Sequence, residues 1–229
     1  MGKVKNKLKQ EPVRSLLVDK SILKHFPKVE LHRHLEGTFP VNKLHDLALK
    51  NKPDMPKDFA DFKRQVQFPK NSDPDFLTFI GKFKNDWYRT HDDVSFISYH
   101  SVKEFRSDGL FYIELRFSPE HFSEVNNFDR EDVTKLVIEA GNRAAKEDGV
   151  NIKYLLTFNR HKQSPEEMLA LYDRLKKLAL PDIVGIDLAG DEINFPPELF
   201  KDFFARIQAE GRFGSTIHAG EVQNSYNRE

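Results

Sequence analysis

The sequence predicts an α/β protein in which strand–helix units build a parallel sheet. Two observations carry that prediction. Strand-like apolar runs alternate with segments of helical periodicity over most of the chain. The helical segments also carry their own boundary signals, with capping residues and Pro at their starts and Gly at their ends.

The elements follow in chain order. Residues 1–14 are lysine-rich and read as a flexible basic arm, leaving 15–229 as one unit. Val29–Leu35 is the first strand-like run. The next, Leu110–Phe117, starts about 75 residues later, far more than one crossover helix needs. A helical insertion is therefore expected at about 38–108, from Leu44, Leu47 and Leu49 and from Phe76, Phe79, Ile80 and Phe83. Phe96, Ile97, Val102 and Phe105 fit a helix between Asp92 and Asp108. Val133, Leu136, Val137, Ala140 and Ala144 form one stripe on a helix from about Arg130 to Glu147, and Gly149 is placed to end it. After a strand at Ile152–Phe158, the capping box Ser164-Pro165-Glu166-Glu167 opens a helix running through Met168, Leu171, Leu175 and Leu178. A strand at Ile183–Leu188 precedes a helix opened by Pro197 and stopped at Gly211, and Phe213–Ala219 is the last strand. Five strand–helix units are thus used by Glu229, where a closed (β/α)8 barrel has eight in about 250 residues.

Composition removes whole classes of function. The 36 Lys and Arg balance 36 Asp and Glu, which leaves no global electrostatic footprint for nucleic acid. The absence of cysteine excludes a disulfide framework, Cys-ligated zinc, iron–sulfur clusters and a thiol nucleophile. Any metal has to be held by His, Asp or Glu. No apolar run approaches the roughly 20 residues of a membrane helix, and none follows the N-terminal lysines as a secretory signal would. A cytoplasmic protein acting on a small molecule is expected, with neither nucleic acid nor membrane as partner. Walker A, Gly-x-Gly-x-x-Gly and Gly-x-Ser-x-Gly motifs are missing.

The residues able to do chemistry gather at strand ends. On a strand His32 and His34 point the same way, so two imidazoles can converge on one metal ion. Glu36 shares their parity if the strand continues. With 9 His in the chain, a His-x-His pair alone is weak. His218 ends another strand and is followed by Gly220 and Glu221; core histidine and helix cap are the alternative readings. Gly190 falls where a strand leaves the sheet and could open a backbone N–H to a ligand, or be an ordinary loop glycine. Asp187 and Asp191 stay open as ligands, caps or salt-bridge partners. Glu114, Arg116 and Ser118 share a face, where opposite charges are expected to pair with each other. His91, His100 and His161 read as surface or supporting groups.

Taken in order, Pro27–Gly37, Phe79–Phe83, Tyr112–Pro119, Gly185–Glu192 and Thr216–Glu221 resemble the adenosine deaminase family of metal-dependent amidohydrolases. The resemblance implies a (β/α)8 TIM-type barrel with one Zn2+ that hydrolyses adenosine or deoxyadenosine to inosine or deoxyinosine with release of ammonia. By position it makes His32, His34 and His218 metal ligands and Glu221 the catalytic proton donor to purine N1. Substrate contacts fall to His34, Glu36 and Gly190, and the pocket lid to Phe79, Ile80 and Phe83. The sequence departs from the family in two ways. It ends before the further His and the Asp pair of later strands, so the 229 residues alone are expected to be a truncated, inactive piece. Position 36 is Glu where many nucleoside-specific members have Asp, which keeps adenine or another 6-aminopurine as an alternative substrate and a non-catalytic fragment as an alternative role.

Overall fold

The computed structural model describes residues 22–23, 26–68 and 76–222. The arm expected at 1–14 lies outside them. Five strands, β1 (Lys28–His34), β2 (Leu110–Phe117), β3 (Asn151–Asn159), β4 (Ile183–Ala189) and β5 (Gly214–Ile217), form one sheet in the order β1-β2-β3-β4-β5. Every neighbouring pair is parallel. Doubly wound sheets reverse their strand order at a switch point, whereas barrels run in chain order. The sheet is therefore an arc of a barrel, as the five counted units predict. Its middle is dry, since Ile113, Leu115, Tyr154, Ile186 and Leu188 have almost no exposure. Its two edges are open: Val29 and Leu31 are 61% and 54% exposed, and all four residues of β5 are exposed.

Among the described residues, four helices lie between β1 and β2: α1 (Val41–Asn51), α2 (Phe59–Val66), α3 (Phe76–Ile80) and α4 (His91–Glu104). Leu44 and Leu47 of α1 are buried, but Leu49 is 50% exposed. Five residues from Leu44 is half a turn off the buried stripe. α2 falls inside the expected helical insertion, though none of its residues was singled out; it buries Phe62 alone and is capped by Asp58 accepting from the Asp61 N–H. Thr90 and Asp93 make a reciprocal capping box at the start of α4.

Four more helices follow β2 among the described residues. They are α5 (Pro119–Ser123), α6 (Arg130–Asp148), α7 (Pro165–Leu175) and α8 (Lys201–Glu210). Helix α6 packs on α4, β3 and α7, and α8 packs on α7 and β5, so the helices shield the outer face of the arc. The boundary signals act as expected. Gly149 ends α6 at φ 69°, a left-handed conformation that costs glycine little. Ser164 and Glu167 cap α7 reciprocally, although α7 stops at Leu175 and a 3-10 turn, Lys176–Leu178, completes the predicted span. Pro197 opens a 3-10 turn that leads into α8, and Gly211 closes it.

β1 ends one residue earlier than expected. Leu35 turns fully into the core and Leu35–Gly37 forms a 3-10 turn, closed by the Thr38 N–H on the Leu35 carbonyl at 3.0 Å. Glu36 therefore loses the strand parity it was assigned and reaches its place by a turn.

Candidate active site

His32 and His34 stand on β1, and His218 follows β5, at opposite edges of the sheet. In a flat five-stranded sheet these edges would lie about 19 Å apart, four strand spacings of about 4.8 Å. Instead the Nε2 atoms of His34 and His218 are 2.9 Å apart and those of His218 and His32 are 3.1 Å apart. The arc curls far enough to bring all three imidazoles to one rim. Each offers a ligand atom, and the three atoms lie within 4.8 Å of one another.

The three rings fit a metal ion. Two nitrogens each about 2.0–2.1 Å from one cation stand roughly 3 Å apart, the spacing seen here. Both partners of His218 Nδ1 are acceptors, the Leu188 carbonyl at 3.1 Å and the Asp187 carboxylate at 3.2 Å. Nδ1 therefore carries the hydrogen, so the neutral ring turns its Nε2 lone pair to the other two; burial disfavours the cationic ring, but the Asp187 carboxylate outweighs it and raises the His218 pKa. Burial, helped by the neighbouring His218, pushes His34 down to about 3, and burial with Arg116 lowers His32. Both rings are neutral at pH 7, the form that ligates.

Asp187, open in the sequence, proves to be the centre of a buried network. It has no exposed surface and accepts from Arg116 Nη1 at 3.2 Å, Thr157 Oγ1 at 3.1 Å and Thr216 Oγ1 at 2.7 Å as well as facing His218. Arg116 thus pairs across the interior with Asp187 and not with Glu114, which accepts from the Tyr112 hydroxyl at 2.9 Å. The expected pairing within β2 fails because the Arg116 side chain lies at the buried centre, where a carboxylate two strands away and the Leu31 carbonyl accept from its Nη1 and Nη2. Asp191 caps its own loop, accepting from the Ile193 and Asn194 N–H groups.

Beside the histidines is a cavity of about 300 Å³. His32, His34, His218, Glu221, Glu36 and Gly190 all line it, and Phe79, Ile80 and Phe83 wall one side together with Phe76. Phe83 packs on Phe79 and edge-on to His34, with ring centres at 5.2 and 6.5 Å. Gly190 has φ 105°, and a Cβ there would meet Asn159 Oδ1 at 2.8 Å. Only glycine lets the chain pass this wall.

The two carboxyls of the cavity differ. Glu36 Oε1 accepts from the Ser118 N–H at 2.6 Å, while its buried Oε2 has no protein partner. Burial outweighs that hydrogen bond and pushes Glu36 up to about 7. Partial burial also raises Glu221; the cationic form of His218 opposes this and Glu192 adds to it. Glu36 can hold a proton well above the ordinary carboxylate range, and Glu221 is shifted in the same direction.

Ser118, named in the sequence only for the face it shares on β2, and His121, Thr157, Asn159 and Ala189, which were not expected at the site, complete the lining. Ser118 and Asn159 stand at the ends of β2 and β3, so the strand-end rule that flagged His218 could have found them. His121 gave no signal: it lies within α5, its Nε2 is 3.0 Å from the Tyr88 hydroxyl, and burial pushes it down to about 3. His91 and His161 are exposed and His100 is half-buried.

The family model described as adenosine deaminase matches residues 27–226. The chain belongs to the adenosine deaminase family. The adenosine deaminase of Shewanella denitrificans is 34% identical over 217 residues, which is 91% of this chain and 62% of the relative. The chain thus spans about three-fifths of the length of the curated family members it matches. Among solved structures, a zinc-bound amidohydrolase from Burkholderia ambifaria matches 88% of this chain and 54% of its own with a TM-score of 0.77 at 23% identity. The adenine deaminase of Arthrobacter aurescens matches 86% of this chain and 58% of its own, with a TM-score of 0.73 at 23% identity. These likenesses are of fold.

Proposed function

We propose that this chain carries the metal-binding and proton-donating part of a zinc-dependent deaminase, which converts the 6-amino group of adenosine or deoxyadenosine to a 6-oxo group and releases ammonia. The observation that carries the reading is the convergence of three imidazole Nε2 atoms on the rim of a cavity that Glu221 also lines. His32, His34 and His218 would hold the ion. When bound, zinc supplies hydroxide at neutral pH by acidifying water.

The protein's own groups do the remaining work. Attack at C6 breaks the ring's aromaticity and drives electrons toward N1. A carboxyl kept protonated, as the raised pKa of Glu221 favours, donates a proton to N1 and accepts that charge. The glycine turn at Gly190 brings bare backbone to the ring, and Phe79, Ile80 and Phe83 screen the pocket from bulk water. Expected partners are small purines in the cytoplasm, with no role for nucleic acid.

Adenine remains a second reading because of Glu36. Its carboxyl is drawn onto the Ser118 N–H, and its unpartnered Oε2 is buried in the cavity wall. A free base, with an N–H in place of the sugar, could fill that acceptor.

A spectrophotometric panel of adenosine, deoxyadenosine and adenine, run on the zinc-loaded product of the full reading frame with the 229-residue chain beside it, tests both readings. One zinc per chain and turnover of at least one 6-aminopurine are expected from the full product. Glu221→Gln should lower that turnover by roughly 100-fold or more with zinc content intact. A panel with no deamination by the zinc-loaded full product rejects the proposal.

A further inference from the structure

The segment that carries Glu221 is held weakly by its own strand. β5 is four exposed residues bonded to β4 on one side, and the His218 N–H on the Leu188 carbonyl at 2.9 Å continues that pairing past Ile217. The side chains of Thr216 and His218 add bonds to Asp187 on β4, and from the His218 carbonyl onward two neighbouring loops hold the backbone. Arg160, after β3, is 1% exposed and donates from Nη2 to the His218 carbonyl. Glu192, after β4, is 3% exposed; its Oε2 accepts from the Gly220 N–H at 3.0 Å and its Oε1 from the Val222 N–H at 2.8 Å. These two amides flank Glu221.

We propose that Glu192 is a positioning residue, whose two-point grip on the Gly220 and Val222 amides fixes the backbone of Glu221 and so aims its carboxyl into the cavity. A carboxylate suits the task because both of its oxygens accept, whereas Gln offers one acceptor and turns an NH2 toward the second amide. The two N–H groups in turn compensate the burial of the Glu192 charge. Glu192 also lies two residues beyond Gly190, so a single loop shapes the wall of the cavity and sets the acid opposite. An error of about 1 Å in such a group can cost about 100-fold in rate. This inference rests on Glu221 as proton donor, and its test is chosen to need no turnover.

The full 229-residue chain would be compared with Glu192→Gln, Glu192→Ala and, as a control on the same connection, Glu198→Gln. Three measurements are made: amide exchange at Gly220 and Val222, a carbon-13 titration of the Glu221 side-chain carboxyl, and zinc content. In Glu192→Ala both amides should exchange about tenfold faster or more, the loss expected of charge-assisted hydrogen bonds. In Glu192→Gln one of the two amides should remain protected.

The charged groups acting on Glu221 are His218, Glu192, Arg160 and Asp187. Removing Glu192 takes away a like charge and frees the acid to turn toward water, so its titration should move down toward the ordinary range. Zinc content should hold, because β1 and the Asp187 network place the three rings. Glu198→Gln should match the wild type throughout. Amides that stay protected in Glu192→Ala overturn the proposal. Released amides with an unchanged Glu221 titration also overturn it, since Glu192 would then hold backbone without aiming the acid. Loss of zinc in both Glu192 variants shows a general structural role and overturns it as well. The deaminase reading fails separately, in the substrate panel.

Discussion

The two ends of the arc supply the same chemistry by different means. At the β1 end, His32 and His34 are two residues apart on one strand, His32 within an irregularity of the β1–β2 register between Glu30 and Arg33, and the short spacing sets the two rings side by side. At the β5 end the strand is short and exposed, and His218 is set by a buried acid: Asp187 fixes its tautomer while Thr157, Thr216 and Arg116 fill the remaining acceptor sites of that acid. One half of the site is secured by local geometry, the other by long-range hydrogen bonds. The first kind tolerates change in its surroundings, and the second does not.

Replacing a ligand at either end tests the equivalence of their chemistry. His34→Ala and His218→Ala should each lower zinc affinity by more than the roughly 100-fold that loss of an outer partner costs, measured by competition with a chelator. A variant retaining wild-type affinity would remove that ring from the metal shell.

The ends separate at Asp187. Asp187→Asn should weaken zinc binding about 10- to 100-fold and destabilise the fold by about 3–5 kcal/mol, because Arg116 is left buried with its charge partner gone. Urea unfolding and zinc titration measure the two effects. β1 offers no comparable target, and a loss under about 1 kcal/mol would undo the contrast.

The smallest effect concerns Glu36, on the β1 side. Its pKa lies near 7 in the folded chain against an ordinary 4.5. The native state therefore binds a proton that the unfolded chain has released between these values. The burial penalty is absent below about pH 4.5, grows as pH rises, and is complete above about pH 7. Glu36→Gln removes it, so the variant should gain on the wild type by up to about 3 kcal/mol between pH 4.5 and 8, read from paired unfolding curves. A difference that stays flat over that range would show Glu36 to be an ordinary exposed acid.

What the sequence revealed divides along the same line. β2, the start of β4, the caps of α6 and α7 and the His32–His34 pair depend on neighbours within a few residues, and they could be read from spacing. Leu49 and the end of β1 went astray where burial on one face broke a local pattern. The pairing of Arg116 with Asp187 and the grip of Glu192 on Gly220 and Val222 join residues 71, 28 and 30 positions apart. They exist only once separate strands lie side by side, so no local pattern announces them. Glu36 lines the cavity, and it reaches its place by a turn in place of strand parity.

His34 and His218 are 184 positions apart and sit on opposite margins of the arc, which share no ladder of main-chain bonds. A cation seated among the three rings would act as a clasp across the mouth of the curve. Its affinity then measures how fully the sheet has curled, and stripping it with a chelator should loosen both margins while β2, β3 and β4 keep their mutual bonds.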